Sequence, residues 1–145
     1  MLPPFNQDGN LPEGIHPATE HELFSRFATA SARRAWLGER LLELLETARG
    51  TGKLERLFLW GSFITGKGTP NDLDVLLVMA ADFENDQMAE DVRLLFDHAQ
   101  ARIRFHADVF WTKAALPHDI LDLWLDTYQT GKDFKRKGIV EVFPL

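Results

Sequence analysis

Residues 57–79 read LFLWGSFITGKGTPNDLDVLLVM, and the way this stretch divides decides the fold. It opens as an apolar strand, bends at Gly61-Ser62, and crosses a polar loop. It then re-enters an apolar strand that carries Asp72 and Asp74. Successive side chains of a strand point to opposite faces, so residues two apart share one. Asp72 and Asp74 are therefore expected on a common face, with Leu73 and Val75 turned into the core. Two carboxylates side by side repel each other unless a proton or a cation sits between them. A divalent metal ion is the usual solution where both must stay ionised.

The chain has 145 residues, 45% of them hydrophobic, which suits one compact domain with a real core. No apolar run reaches the ~18 residues of a membrane span. The N-terminus lacks the basic-then-apolar pattern of a secretory signal, so the expected compartment is the cytoplasm. With no cysteine, disulfides, thiolate zinc sites and thiol catalysis are excluded. A net charge of −6 argues against a broad basic face for nucleic acid. The one dense basic run, KDFKRK at residues 132–137, reads better as a solvated tail than as a binding patch.

Residues 1–17 are rich in Pro, Gly and Asn and read as an extended arm, with Phe5, Leu11 and Ile15 laid against the body. A single domain follows over residues 18–145. Thr19 and Glu22 have capping-box spacing and start a helix that buries Leu23, Phe24 and Phe27. A longer helix is expected over residues 31–49, with Trp36, Leu37, Leu41, Leu44, Leu45 and Ala48 as its apolar stripe and Gly50 as its stop. Residues 56–60 form the first core strand. After the central motif, a helix is expected over about residues 85–101 and a strand over residues 103–111, IRFHADVFW. On that strand Ile103, Phe105, Ala107, Val109 and Trp111 would share one face. Arg104, His106, Asp108 and Phe110 would share the other. Pro117 can open a C-terminal helix at its first turn. That helix would bury Ile120, Leu121, Trp124, Leu125 and Tyr128 and end near Gly131. Residues 138–143 add a short edge strand. The class is α/β (α+β), a mixed sheet with helices packed against it.

Three features carry chemistry if they meet in space. Gly61-Ser62 lets the backbone approach a ligand and turn N–H groups toward an anion. Asp72 and Asp74 form an acidic pair. Asp108 is a lone acid between Ala107 and Val109, and such an acid is costly unless it is paired, coordinated or solvated in a cleft.

Gly61-Ser62, nine intervening residues and then Asp72-Leu73-Asp74, with Asp108 in HADVFW as a third acid, resembles the signature of the DNA polymerase beta-like nucleotidyltransferase superfamily. The chain looks most like the minimal bacterial nucleotidyltransferases, a group that includes antitoxin partners of ribonuclease toxins. Its opening, LPPFNQDGNLPEGIHPAT, also resembles small bacterial proteins of this fold with no assigned function. The catalytic part of the resemblance covers about residues 56–111.

The resemblance implies two-metal nucleotidyl transfer, with Mg²⁺ (or Mn²⁺) on Asp72, Asp74 and Asp108 and the triphosphate held at Gly61 and Ser62. Mg²⁺ favours a few carboxylates plus substrate phosphates over an all-protein cage. Two such ions ~3.5–4 Å apart activate the attacking hydroxyl and stabilise the leaving pyrophosphate. Asp108 can also take the hydroxyl proton. Minimal members commonly read Gly-Ser-x-Ala-Arg-Gly, whereas this chain has Thr65 in the arginine's place and Lys67 two residues on. Lys67 either supplies the missing charge as a point cation or is an ordinary loop lysine. His106 either pairs with a nearby acid or touches the ligand. Trp60 and Trp111 are expected in the core, with stacking on a base as the alternative for either.

The implied activity moves a nucleoside monophosphate from a nucleoside triphosphate to a hydroxyl of a protein, an RNA end or a small molecule. A binding or regulatory module of the same fold is the alternative, one that masks a toxin or senses a nucleotide without turnover. A metal-dependent hydrolase is weaker, because it leaves Gly61-Ser62 without a role. The arm at residues 1–17 invites contacts in a homodimer.

Overall fold

A computed structural model describes all 145 residues. In chain order the elements are β1 (Ile15–Ala18), α1 (Glu20–Phe27), α2 (Ala32–Gly50), β2 (Leu54–Trp60), β3 (Leu73–Met79), α3 (Glu90–Arg93), α4 (His98–Phe105), β4 (Ala107–Lys113), α5 (His118–Tyr128) and β5 (Ile139–Val142). The five strands form one mixed sheet in the order β1-β5-β2-β3-β4. The outer pairs, β1 with β5 and β3 with β4, are parallel; β5 with β2 and β2 with β3 are antiparallel. The fold is α+β, as the pattern of apolar strands and amphipathic helices implies. No helix is long and apolar enough to cross a membrane.

Strand alternation sorts the core into two layers. Leu57, Leu59, Leu73, Val75, Leu77, Met79, Ala107, Val109, Val140 and Val142 face the larger layer, where they meet α1, α2 and α4. Phe58, Leu76, Val78 and Ile139 face the smaller one, covered by Leu121 and Leu125 of α5. Asp74 alternates with Leu73 and Val75 and so falls on the α5 face. That helix covers only the middle of the sheet and leaves the start of β3 and β4 open.

The helix starts are built as the sequence predicts. Thr19 Oγ1 accepts from the Glu22 N–H at 3.1 Å and Glu22 Oε1 accepts from the Thr19 N–H at 3.4 Å, closing the capping box. The second Glu22 oxygen accepts from the Leu2 N–H at 3.1 Å, which ties the arm to α1. Ser31 caps α2 by accepting from the Arg34 N–H at 3.1 Å. The arm runs along the body with Leu2 and Leu11 buried, and its Gly9 carbonyl accepts from Gly66 N–H at 2.8 Å.

Five expectations are corrected. The arm is not wholly outside the sheet, since Ile15–Ala18 is its edge strand β1; β5, expected at an edge, lies inside between β1 and β2. The helix expected over residues 85–101 is broken into 3₁₀ turns, the four-residue α3 and α4, because Asp97 adopts extended backbone and caps α4 through the Gln100 N–H at 3.0 Å. The strand expected from residue 103 starts at Ala107. Residues 103–105 finish α4, His106 stops it in a left-handed conformation (φ 53°), and Ile103 is exposed. In α5, Ile120 is exposed rather than buried, and the helix ends at Tyr128.

Burial on the larger layer sets the stability. Leu44 is fully buried on α2, whereas Leu42 of the same helix is 42% exposed. Leu44→Ala is expected to cost about 2–5 kcal/mol and Leu42→Ala less than about 1 kcal/mol, measured by urea denaturation.

Candidate active site

The open end of the α5 face is a cleft of about 760 Å³. Its floor is made by strand register. Asp74 of β3 is paired with Asp108 of β4 across a parallel ladder, and Trp60 of β2 is paired with Asp74 on the other side. Registered neighbours project to the same face, so Asp74 and Asp108 stand side by side. Asp72 sits in the loop just ahead of β3, not within it, and also lines the cleft. The structure thus brings all three acids together from two chain segments more than thirty residues apart.

Gly61 explains how Asp74 fits. Its φ of +81° is one that favours glycine, and a Cβ there would lie 2.1 Å from Asp74 Oδ2. The carboxylate therefore occupies the space a side chain would have filled. The chain then makes a 3₁₀ turn over Ser62–Ile64, with Phe63 and Ile64 buried as anchors.

The loop beyond this turn is organised from inside by Arg34, which is 3% exposed and has no carboxylate partner. Its guanidinium donates to the carbonyls of Phe27 (3.0 Å), Phe63 (2.6 Å), Thr65 (2.6 Å) and Lys67 (2.6 Å), with a longer contact to Ser62 (3.4 Å). Burial shifts its pKa down, but these carbonyl dipoles satisfy its donors. A trans peptide points its N–H opposite to its C=O, so the amides following these carbonyls face away from Arg34. Ser62 and Lys67 both line the cleft, as expected.

The electrostatics follow from three acids on one floor. Burial first, and then the charges of Asp108 and Asp72, push the Asp74 carboxyl up to about 7, with Lys132 and Arg102 opposing. Arg102 of α4 bridges the other two: its Nη1 donates to Asp108 Oδ1 at 2.5 Å and its Nη2 to Asp72 Oδ2 at 3.3 Å. Asp108 is therefore paired with a cation, one of the ways in which such an acid is tolerated. Arg104 turns away to Glu43, at 2.6 Å. His106 lies 3.5 Å from Asp72 Oδ1, and its Nε2 also accepts from Arg33 Nη2 at 3.2 Å. It therefore lies near an acid without donating to it from that nitrogen, and does so from a helix end rather than from a strand face shared with Asp108.

Several cleft residues carry no role in the sequence reading. Lys132 and Lys137 line the cleft, so the KDFKRK run is part of its wall rather than only a solvated tail. The signal was the density of the run itself; its position opposite the acids depends on the turn after α5. Arg136 pins that turn by donating to the Asp126 carbonyl at 2.9 Å and pairing with Asp126 and Glu13. Trp60 is not core. It stacks on Tyr128 with centroids 3.7 Å apart and planes 7° apart, and both rings form the apolar wall of the cleft. Trp111 packs beneath Phe83 and Phe96 and donates from Nε1 to the Phe96 carbonyl at 3.2 Å.

The donor set suits a hard divalent cation. Three carboxylates share one face, one fits the hollow left by a glycine, and a guanidinium already acts as counter-cation to the other two. No group of three or more His, Asp or Glu side chains is arranged to hold a metal ion by itself. Mg²⁺ sites of this kind are completed by substrate phosphates and water.

The chain belongs to a family of unknown function (DUF6932), whose profile matches residues 3–143. No curated protein and no solved structure matches it.

The raised Asp74 pKa has a defined consequence for the metal-free protein. Between the ordinary carboxylate value, near 4, and about 7, the folded state keeps a proton that the unfolded chain releases. Stability therefore falls as pH rises through that window. Asp74→Asn is expected to remove this loss, making the metal-free variant more stable than wild type at pH 8 by the order of 2–4 kcal/mol, and nearly equal at pH 4. Thermal melts across pH 4–8 read the difference.

Proposed function

We propose that this chain is a nucleotidyltransferase that moves a nucleoside monophosphate from a nucleoside triphosphate to an acceptor hydroxyl, with a domain of the DNA polymerase beta-like type. The observation that carries the reading is the register of Asp74 against Asp108 beside Gly61, with Asp72 on the same face. That geometry supports a single cation-binding floor for the three acids of the signature.

Asp72, Asp74 and Asp108 would hold divalent cations, Mg²⁺ or Mn²⁺. When bound, these supply Lewis-acid stabilisation of the charge that develops on the phosphoryl oxygens. The chain's own groups do the rest. Asp108 accepts the proton of the acceptor hydroxyl as its oxygen bonds to the α-phosphorus. The bond from that phosphorus to the β-phosphate oxygen breaks, and pyrophosphate leaves. Gly61 and Ser62 present backbone close to the phosphates, and Lys67, Lys132 and Lys137 line the same cleft with positive charge. The lysines of the C-terminal turn answer the absence of an arginine at Thr65. The Trp60–Tyr128 wall offers an apolar surface to the rest of the nucleotide. The acceptor is a protein, an RNA end or a small molecule.

A second reading keeps the nucleotide and drops the turnover, as a regulatory module of the antitoxin kind. The Arg102 bridge over two of the acids favours it, because a cation supplied by the chain itself would suit a site that never turns over.

Incubating the chain, together with the protein and RNA that co-purify with it as acceptors, with each nucleoside triphosphate and Mg²⁺ is expected to release pyrophosphate. The release should fall roughly 100-fold or more in Asp72→Ala and in Asp74→Ala. A co-purified partner should gain the mass of one nucleoside monophosphate. Nucleotide-dependent thermal stabilisation without pyrophosphate release would favour the regulatory reading instead.

A further inference from the structure

We infer that Arg102 is a resident counter-cation that engages two of the three carboxylates a divalent ion would use, and so sets the affinity of the acidic floor for that ion. This rests on the reading of Asp72, Asp74 and Asp108 as cation ligands.

One side chain joins acids from two elements. Arg102 Nη1 meets Asp108 Oδ1 on β4, and Nη2 meets Asp72 Oδ2 ahead of β3. A guanidinium carries donors and no acceptor, so it meets both carboxylates only as a cation. The neighbouring histidines each reach a single acid, His98 approaching Asp108 and His106 approaching Asp72, both at 3.5 Å. The helix selects this residue. Asp97 caps α4, Ala101 and Phe105 are buried from it, and Arg104 points away to Glu43, so Arg102 alone of its arginines is aimed at the floor.

The Arg102 side chain is 50% exposed, so it can leave the acids without unpacking the core. An ion pair this exposed is weak enough to be displaced. A divalent ion nevertheless meets its ligand oxygens free only for the fraction of time that the guanidinium is away. Its apparent affinity is reduced by that fraction. Arg102 thereby holds Asp72 and Asp108 in place while the ion is absent and competes with the ion when it arrives.

Titration of the full-length chain with Mn²⁺ alone, following the free-ion paramagnetic resonance signal, tests this. Arg102→Gln is expected to bind Mn²⁺ about tenfold more tightly than wild type. Arg102→Lys, which keeps the charge but loses the fork, should fall between them. Asp72→Asn should weaken binding and thereby identify the site. Unchanged or weaker binding in Arg102→Gln, with wild type binding Mn²⁺, overturns the inference and leaves the cation reading intact. If wild type, Arg102→Gln and Arg102→Lys all fail to bind Mn²⁺, the cation reading itself falls and this inference falls with it.

Discussion

Burial of the Asp74 carboxyl beside the charges of Asp108 and Asp72 is the constraint around which the site is arranged. The pairing of Asp74 with Asp108 is not adjustable, because β3 and β4 are locked by seven registered pairs in which Leu73, Val75, Leu77, Ala107 and Val109 are buried. A slip of one residue would turn Leu73, Val75 and Leu77 out of the larger layer. The two carboxylates must therefore be tolerated where they stand, with Asp72 beside them. The metal-free fold answers with a proton on Asp74 and a guanidinium on the other two. Neither device closes the site. A proton leaves as pH rises, and a half-exposed side chain can swing away.

A second constraint concerns the loop that faces the acids. Residues 61–68 contain three glycines and only two buried hydrophobic anchors, Phe63 and Ile64. Such a segment has little intrinsic reason to hold one shape. Arg34 supplies it by gathering inward carbonyls around a buried cation. An arginine suits this work better than a lysine, because its planar fork reaches several carbonyls at once and stays charged despite burial. The loop is thus ordered from the α2 side while its other side borders the cleft. The arm adds a strap through the Gly9 carbonyl and contributes Asn10 to the same wall.

What was legible in the sequence follows the range of the forces involved. The capping box at Thr19, the stripe of α2 and the apolar strands around Gly61 are local patterns, and each appears where local physics puts it. The acids and Gly61 were visible because strand alternation and the need for a close turn act over a few residues. Arg102 and Arg34 were not singled out. Each looks like an ordinary helix arginine until tertiary packing aims it at a floor or a loop. The same holds for Lys132 and Lys137, whose place depends on how Arg136 pins the turn after α5. The strand drawn from residue 103 failed for a different reason. IRFHADVFW alternates as well in a strand as it closes a helix, and only the left-handed backbone at His106 divides the two.

The division of the core explains how the site is carried without unfolding the chain. The larger layer holds most of the buried apolar residues and lies on the face of the sheet away from the acids. The smaller layer is a six-residue cluster under α5, and the cleft opens where that cluster stops. Burying more of the α5 face would stabilise the sheet but would also strip water from three carboxylates, at a cost that grows steeply for unpaired charge. The short cover is therefore a compromise set by the acids themselves. Asp74, the acid placed deepest, already shows the penalty in its raised proton affinity, while Asp72 and Asp108 meet Arg102 at the cleft's edge. A cation entering from the open side would relieve all three at once, which gives the incomplete cover a physical reason.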